Sequence, residues 1–276
     1  MHAIPSYTIR LGDKLFTLDS PVVMGILNVT PDSFFAASRT PGVDAAVVRA
    51  QQIIDEGGAI VDVGACSTRP GSEHASEEEE WRRLQPVLEA LRERWPEMVI
   101  SVDTYRPEIA SRSVCDYGVQ MINDVGGGDE EMLRLVAQLR VAYVLTAVQP
   151  TMADMMQVLS HKVNRLHELG ATDVVVDPGF GFGKDVPQCY EVLSRLHELH
   201  VLGHPLLVGL SRKTMLWKPL HTTPAQTLTA TITAHTMALL QGAHILRVHD
   251  VKEAMDCVAV VQQLRQAEQN DKTSIQ

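Results

Sequence analysis

Residues 98–124 read MVISVDTYRPEIASRSVCDYGVQMIND and contain one complete repeat of the pattern that decides the fold. The two apolar runs at its ends, 98–103 and 119–124, are rich in Val and Ile and show little polar alternation, which is typical of strands buried on both faces of a parallel sheet. Between them, Pro107 to Tyr117 has a helical pattern that ends at Gly118, a residue suited to a left-handed C-terminal cap. This stretch therefore predicts a strand–helix–strand unit.

The same alternation runs through the whole chain. Further strands are predicted at VVMGILN (22–28), AIVDVGA (59–65), VAYVLTA (141–147), DVVVD (173–177), PLLVGL (205–210) and HILRVH (244–249). Further helices are predicted at 44–56, 75–94, 130–139, 152–169, 187–199, 224–241 and 251–265, several of them ending at a glycine (Gly57, Gly170, Gly242). Eight strand–helix units in about 250 residues predict the α/β class and a (β/α)8 TIM barrel.

The ends of the chain complete this picture. TIRLGDKLFTL (8–18) predicts an N-terminal β-hairpin around Gly12 and Asp13 that closes the bottom of the barrel. The interpretation is a single domain over 1–276, with a polar C-terminal tail after about residue 266. An open doubly wound sheet is the alternative, disfavoured because no Gly-x-Gly-x-x-Gly follows the first strand.

Composition excludes several classes of protein. The 276 residues carry a net charge of −10 and are 45% hydrophobic, which excludes wholesale disorder and disfavours a nucleic-acid partner. No apolar run approaches the length of a membrane helix, so no membrane partner is expected. The N-terminus does not resemble a signal peptide, and the four scattered cysteines fit buried free thiols in a reducing cytosol, so the predicted localisation is cytoplasmic.

Polar side chains follow nearly every predicted strand. They are Asn28, Ser67-Thr68-Arg69, Asp103, Asn123, Asp177, Ser211-Arg212-Lys213 and Arg247-His249. An Asn or Asp after a strand is, taken alone, an ordinary turn or cap residue. Seven strand ends that carry polar groups to one rim indicate a shared pocket, because the active sites of such barrels lie at the C-terminal ends of the strands.

These residues fall into two chemical sets. A flat heterocycle with alternating donors and acceptors suits the first set, which offers carboxylates, an amide and an ammonium: Asp103, Asn123, Asp177 and Lys213. A phosphate or pyrophosphate suits the second, cation-bearing set: Asn28, Thr68, Arg69, Arg247 and His249. Arg247 could alternatively stack on the ring.

Two other patterns have competing interpretations. The glycines of DPGFGFGK (177–184) favour close approach of the backbone to a ligand, with Phe180 and Phe182 as apolar wall; the alternative is that they are packing glycines at a tight turn. His197, His200 and His204 match no zinc spacing, and a solvated surface is the favoured explanation.

The motifs taken together resemble the dihydropteroate synthase family. The segments are VMGILNVTPDSF (23–34), VDVGACSTRPGSE (61–73), ISVDTYRPEIA (100–110), INDVGGG (122–128), DPGFGFGK (177–184), PLLVGLSRKT (205–214) and ILRVHDV (245–251). The resemblance covers almost the whole chain. It implies a cytosolic homodimer of the folate pathway that joins 6-hydroxymethyl-7,8-dihydropterin diphosphate to 4-aminobenzoate, with Mg²⁺ as cofactor, and in which pyrophosphate leaves before the amine attacks.

The resemblance also assigns roles to residues of this chain. The implied pterin-binding residues are Asp103, Asn123, Asp177, Lys213 and Arg247, and the implied diphosphate-binding residues are Asn28, Thr68, Arg69, Arg247 and His249. The implied aminobenzoate-binding residues are Thr68, Pro70, Phe182, Lys213 and Thr214. The implied catalytic residues are Asp103, Lys213, Asn28 and Asp32, and Asn28 is the implied Mg²⁺ ligand.

Two departures from the family pattern leave other functions open. Ala36 takes the place of a second acidic residue in the first loop, and 145–150 (LTAVQP) lacks the family's Met-His-Met motif. A non-catalytic pterin-binding paralogue is therefore one alternative. A methyltetrahydrofolate-type methyltransferase domain is another, opposed by the segments 68–70 and 211–213, which resemble diphosphate and aminobenzoate sites.

Overall fold

The computed structural model describes residues 5–29, 41–66 and 75–274. The chain begins with an antiparallel hairpin of β1 (Tyr7–Leu11) and β2 (Lys14–Leu18), joined by a turn in which Gly12 has a φ of 63°. Leu11 and Leu18 are buried and belong to the apolar cluster that fills the lower half of the barrel. The predicted hairpin and its position are therefore confirmed.

Eight parallel strands form the barrel. They are β3 (Val22–Asn28), β4 (Ile60–Gly64), β5 (Ile100–Asp103), β6 (Met121–Asp124), β7 (Ala142–Thr146), β8 (Val174–Asp177), β9 (Leu207–Val208) and β10 (Ile245–Val248). The hydrogen-bonded order is β8-β7-β6-β5-β4-β3-β10-β9. A parallel bridge between Val176 and Leu206 joins the two ends of this order and closes the sheet on itself. The (β/α)8 prediction is confirmed, and the open doubly wound alternative is wrong.

The helices lie outside the strands. They are α1 (Pro41–Asp55), α2 (Glu77–Arg94), α3 (Pro107–Tyr117), α4 (Glu130–Leu139), α5 (Met152–Glu168), α6 (Val186–Ser194), α7 (Thr214–Trp217), α8 (Leu228–Leu240) and α9 (Val251–Ser274), with 3₁₀ helices at Leu196–Leu202 and Pro224–Gln226. Within the described ranges, none of these helices is long and apolar enough to cross a membrane.

Several helices begin and end as the sequence predicts. Ser76 caps α2 by accepting a hydrogen bond from the backbone N–H of Glu79, and Gly118 ends α3 with a φ of 61°. The predicted helix at 224–241 is instead divided, because Thr227 closes the 3₁₀ turn by donating to the carbonyl of Pro224 at 2.7 Å before α8 begins. The last helix continues to Ser274, nine residues beyond its predicted end.

Two expectations about burial are wrong in detail, those for Cys115 and His204. Glu80, which the sequence analysis did not single out, is buried at the start of α2, where Thr104 donates to it at 2.8 Å and Arg106 forms an ion pair with it. Cys115 is exposed, not buried. His204 is 7% exposed and its Nδ1 lies 3.1 Å from the carbonyl oxygen of Val174, so it packs under β8 instead of facing solvent.

The barrel interior changes character from bottom to top. Its lower half is apolar, with Met24, Ile60, Met121 and Ile245 in one buried cluster with the hairpin. Its upper half holds buried polar residues, at or one level below the C-terminal ends of the strands: Asp62, Ser101, Asn123, Thr146 and Asp177. Because buried polar groups cost free energy unless they are paired, this half requires a specific network of partners.

Candidate active site

Strand register brings the ends of four strands to one level, and three of them carry polar side chains. Asn28 of β3 is paired with Gly64 of β4, which is paired with Asp103 of β5, which is paired with Asn123 of β6. Side chains that occupy one level of a closed parallel sheet converge at its mouth. The predicted convergence of these residues is therefore confirmed.

Arg247 lies at the centre of the polar network. Its Nε donates to Asp62 Oδ2 at 2.6 Å and its Nη2 donates to Asp103 Oδ2 at 2.5 Å. Asp62 Oδ2 also accepts a hydrogen bond from Asn123 Nδ2 at 3.0 Å. Burial lowers the pKa of Arg247, but the carboxylates of Asp62 and Asp103 outweigh burial and raise it overall. The guanidinium is thus a fixed positive charge inside the barrel.

Several acceptor oxygens around Arg247 are left over. Among the described residues, Asp62 Oδ1, Asp103 Oδ1 and Asn123 Oδ1 are buried and have no hydrogen-bond partner. Burial raises the pKa of Asp103 to about 7, Arg247 opposes this, and Asp62 adds to it. Because unpaired buried acceptors are costly, this surface is complementary to a ligand that carries several N–H donors.

Lys213 and Asp177 form the opposite side of the pocket. Lys213, at the N-terminus of α7, donates from Nζ to the carbonyl oxygen of Phe180, and its Nζ lies 5.0 Å from the centroid of the Phe182 ring. Burial lowers the pKa of Lys213 to about 8, and Asp177 opposes the change. Asp177 accepts from the backbone N–H of Gly179 at 2.7 Å, and burial raises its pKa against the effect of Lys213.

The loop after β8 is shaped by contact with the loop after β7. A Cβ atom on Gly179 would lie 2.0 Å from the carbonyl oxygen of Ala147, and one on Gly183 would lie 2.1 Å from that of Val148. Lys184 holds the two loops together by donating to the carbonyl oxygens of Ala147, Gly179 and Phe182 at 3.1–3.2 Å. The prediction that these glycines serve approach to a ligand is wrong for Gly179 and Gly183, which are packing glycines.

His249 continues the rim beyond β10. Its Nδ1 lies 3.0 Å from Ser211 Oγ, and its carbonyl oxygen accepts from Arg49 Nη2 at 2.5 Å. Arg212, also at this rim, is held by a two-point ion pair with Asp250 at 2.6 and 3.1 Å. His249 is therefore positioned at the mouth, whereas Arg212 is occupied by Asp250.

Of the remaining predicted site residues, the structure describes Thr214 but not the residues of the first two loops. Thr214 is exposed as the first residue of α7, next to Lys213. Asp32, Thr68, Arg69 and Pro70 lie outside the described residues, as does Ala36.

Asp62 is the site residue that the sequence reasoning missed. It lies in the middle of β4, within the run AIVDVGA, and it is fully buried. The available signal was a carboxylate inside an otherwise apolar strand, because such a group is retained only when cationic or donor partners meet it. A criterion based on polar residues at strand ends does not include Asp62, because Asp62 lies two residues before the end of β4.

The described part of the chain contains no group of three or more His, Cys, Asp or Glu side chains arranged to hold a metal ion. His197 Nδ1 lies 2.7 Å from Gln241 Oε1, and His204 Nδ1 lies 3.1 Å from the carbonyl oxygen of Val174.

Comparison with known proteins gives one consistent result. The sequence model of the family described as pterin binding enzyme matches residues 24–249. Dihydropteroate synthase of Escherichia coli (strain K12) is 38% identical over 269 residues, covering 92% of this chain and 95% of that protein. Dihydropteroate synthase of Clostridium beijerinckii is 34% identical, with 88% and 94% coverage.

Solved structures agree. The structure of Xanthomonas albilineans dihydropteroate synthase with 4-aminobenzoic acid has a TM-score of 0.88 at 36% identity, covering 95% of this chain and 99% of that one. The Yersinia pestis dihydropteroate synthase with a sulfonamide drug has a TM-score of 0.87 at 35% identity, with 94% and 100% coverage.

The barrel, its polar mouth and the family match define this chain as a pterin-binding enzyme. Within that class the chain belongs to the dihydropteroate synthase family, whose members are transferases of folate biosynthesis.

Proposed function

We propose that this chain condenses 6-hydroxymethyl-7,8-dihydropterin diphosphate with 4-aminobenzoate, giving 7,8-dihydropteroate and pyrophosphate. The observation that carries the proposal is the set of unpaired buried acceptors around Arg247, those of Asp62, Asp103 and Asn123. A reduced pterin presents adjacent N–H and NH₂ donors along its pyrimidine edge, which is the complement that these oxygens lack.

The pterin is held between two charged sides. Asp103 and Asn123 accept from ring N–H groups on one side, and Asp177 and Lys213 supply an acceptor and a donor on the other. Arg247, fixed by its two carboxylates, stacks against the ring face with its guanidinium. In this arrangement Lys213 exchanges the carbonyl oxygen of Phe180 for a ring acceptor.

The diphosphate lies at the mouth, where Arg247 and His249 face it and where Thr68 and Arg69 are assigned by resemblance. The C–O bond to the leaving pyrophosphate breaks first, and the aniline nitrogen then forms the C–N bond and loses a proton. Asp103 stabilises the transient positive charge on the pterin methylene electrostatically. The neutral aniline is already nucleophilic, so no strong general base is required.

The residues at Gly64 fit a Mg²⁺ ion. A Cβ on Gly64 would lie 3.4 Å from Asp103 Cβ, 3.5 Å from Asn28 Oδ1 and 3.7 Å from Asp103 Oδ2, so two side-chain oxygens lie beside this glycine. Mg²⁺ takes oxygen ligands and is commonly bound by one or two protein groups plus substrate phosphates. Asn28 would hold the ion, which when bound supplies positive charge to the departing pyrophosphate.

The aminobenzoate enters beside the loop after β8. Phe182 supplies an aromatic wall next to Lys213, and Thr214 offers a hydroxyl at the N-terminus of α7. Thr68 and Pro70 complete this pocket by resemblance. The amine is thereby directed to the methylene carbon from the side opposite the pterin's buried edge.

The chain acts as a cytoplasmic homodimer in this proposal. Support for association comes from exposed apolar side chains on the last two helices: Met237 on α8, and Val260 and Leu264 one turn apart on α9. Large apolar groups on adjacent helices favour burial against a second surface.

Rescue of a dihydropteroate synthase-deficient bacterial strain tests the proposal in cells. The wild-type chain is expected to restore growth without folate end products, whereas Lys213→Ala is not. Lys252→Ala, which removes an exposed ion pair on α9, serves as a control and restores growth. Tight pterin binding without rescue would instead support the non-catalytic paralogue, and methyl transfer to cobalamin would support the methyltransferase.

A further inference from the structure

Asp62 lies deeper in the barrel than Asn28, Asp103 and Asn123. It lies in mid-strand, paired in register with Ile26 on one side and Ser101 on the other, one level below the strand ends. It is fully buried. A carboxylate is retained at such a position only when its charge is matched by donors.

The contact with Asn123 fixes the direction of that amide. A carboxylate can only accept, so Asn123 must turn its NH₂ group towards Asp62 Oδ2, at 3.0 Å. The amide oxygen of Asn123 then faces away and is buried without a partner among the residues described. The contact with Asp62 therefore orients Asn123 so that its Oδ1, an acceptor, faces the ligand pocket in place of its NH₂ donor.

The contact with Arg247 fixes the plane of that guanidinium. Asp62 takes Nε and Asp103 takes Nη2, so two carboxylates on neighbouring strands hold two nitrogens of one rigid fork. An Arg held at two points loses its freedom to swing before a ligand arrives. The same Oδ2 atom of Asp62 thus orients both an amide and a cation.

We propose that Asp62 is a positioning residue for pterin recognition, which aims the amide oxygen of Asn123 and the guanidinium of Arg247 at the ring. It selects for a heterocycle that carries an N–H donor opposite Asn123, and it does so through Oδ2, the atom that contacts both Asn123 and Arg247. The inference rests on the proposed function, since it specifies how that pocket is arranged before binding.

Steady-state kinetics of Asp62→Asn test the proposal. The substitution keeps the shape of the side chain but adds an NH₂ donor and removes the charge, so Asn123 can reverse and Arg247 loses a charged partner. We expect KM for the pterin diphosphate to rise about tenfold, with KM for 4-aminobenzoate unchanged within about twofold. A sample that is only partly folded would lower the maximal rate and leave both KM values as they are.

Asp124→Asn is the matched control. Asp124 is the neighbour of Asn123 and is also a buried carboxylate, but it accepts from the backbone of Gly126 and Gly128 and from Tyr143 Oη, away from Arg247. It is expected to lower the melting temperature while both KM values stay within about twofold of wild type. An equal rise in the pterin KM for both variants would show that any buried charge here matters, and would overturn the specific role of Asp62.

Calorimetry with the pterin diphosphate separates the possible failures. It measures affinity without turnover, on wild type, Asp62→Asn, Arg247→Lys and the double variant. We expect the losses of binding free energy in the two single variants to be non-additive in the double variant, because both substitutions disrupt the same contact between Asp62 and Arg247. Asp62→Ala provides a second test if Asp62→Asn fails to fold. Unchanged affinity in the Asp62 variants, or additive losses, overturns the inference, whereas tight wild-type binding without condensation contradicts only the proposed function.

Discussion

Lys213 holds its positive charge in a buried position between a carboxylate and a second cation. Burial lowers its pKa to about 8, Asp177 opposes that change, and Arg247 adds to it. The ammonium is therefore lost at a pH where a solvated lysine would still be charged. Because the charged form holds the pterin in the proposed complex, affinity is expected to fall above about pH 8, a range above the pKa of about 7 at Asp103.

The pH profile of pterin diphosphate binding tests this dependence. We expect kcat/KM for the pterin diphosphate to decline as pH rises above about 8, because the free enzyme loses the Lys213 charge there. In Lys213→Arg the guanidinium stays charged over the same range, so its lower kcat/KM should not decline further between about pH 8 and 10. The same decline in both variants would assign the alkaline limb to another group.

At the residue scale the sequence predicted chemistry at strand ends and missed it within a strand. Asn28, Asp103 and Asn123 could be predicted because parallel strands end at one rim. Asp62 carried a signal, a carboxylate inside an apolar strand, but its partners could not be predicted. Arg247 reaches across the barrel interior from β10 to β4 and β5, which are not its hydrogen-bonded neighbours, and that reach depends on the closed barrel.

The loop DPGFGFGK is the element on which the pocket wall depends. It packs backbone to backbone on the loop after β7, through Gly179 and Gly183, and Lys184 joins the two loops. Phe182 and the carbonyl oxygen of Phe180 reach Lys213 from this loop. By packing on the loop after β7, Gly179 and Gly183 thus hold Phe180 and Phe182 beside Lys213.

Gly179→Ala is expected to lower the free energy of unfolding by at least ~2 kcal/mol, because its Cβ would overlap the carbonyl oxygen of Ala147 at 2.0 Å. Gly181→Ala is the control in the same loop. Its φ is also positive, at 81°, but its Cβ would meet nothing closer than Lys213 Cδ at 3.7 Å, so about 1 kcal/mol is expected. Urea unfolding measures both, and equal losses would mean that backbone strain alone accounts for them.

Element boundaries followed the sequence where a local signal exists. The capping serine at 76 and the glycine at 118 fix α2 and α3, and both were predictable. The packing partner of Gly179, the carbonyl oxygen of Ala147, was not, because the contact joins residues 32 positions apart in the sequence. The short α7, which brings Lys213 to the pocket, has too few residues for a periodic pattern.

At the scale of the whole molecule, the net charge of −10 and the cationic mouth are compatible because they occupy different places. Acidic residues lie on outer helices, as at Glu77 and Glu78, while Arg247 and Lys213 lie inside the barrel. A small anion is attracted by local charge, whereas a long polyphosphate backbone would meet the acidic exterior.

Dimer formation is a prediction about the exterior. Val260→Lys is expected to convert the protein to a monomer, because it introduces a charge into the exposed apolar face of α9 beside Leu264. Val201→Lys is the control, because Val201 lies on the Leu196–Leu202 3₁₀ helix, away from α8 and α9 in the sequence, and is more exposed than Val260. It should leave the mass of the dimer in solution unchanged. Sedimentation velocity distinguishes the two, and a wild-type monomer at micromolar concentration would contradict the homodimer.

Release of pyrophosphate by purified wild-type protein tests the proposed condensation most directly. With saturating pterin diphosphate, 4-aminobenzoate and Mg²⁺, we predict pyrophosphate and 7,8-dihydropteroate in equal amounts; when 4-aminobenzoate is omitted, we predict no 7,8-dihydropteroate and no sustained release of pyrophosphate. The absence of both products under these conditions, from folded protein that binds the pterin, would contradict it.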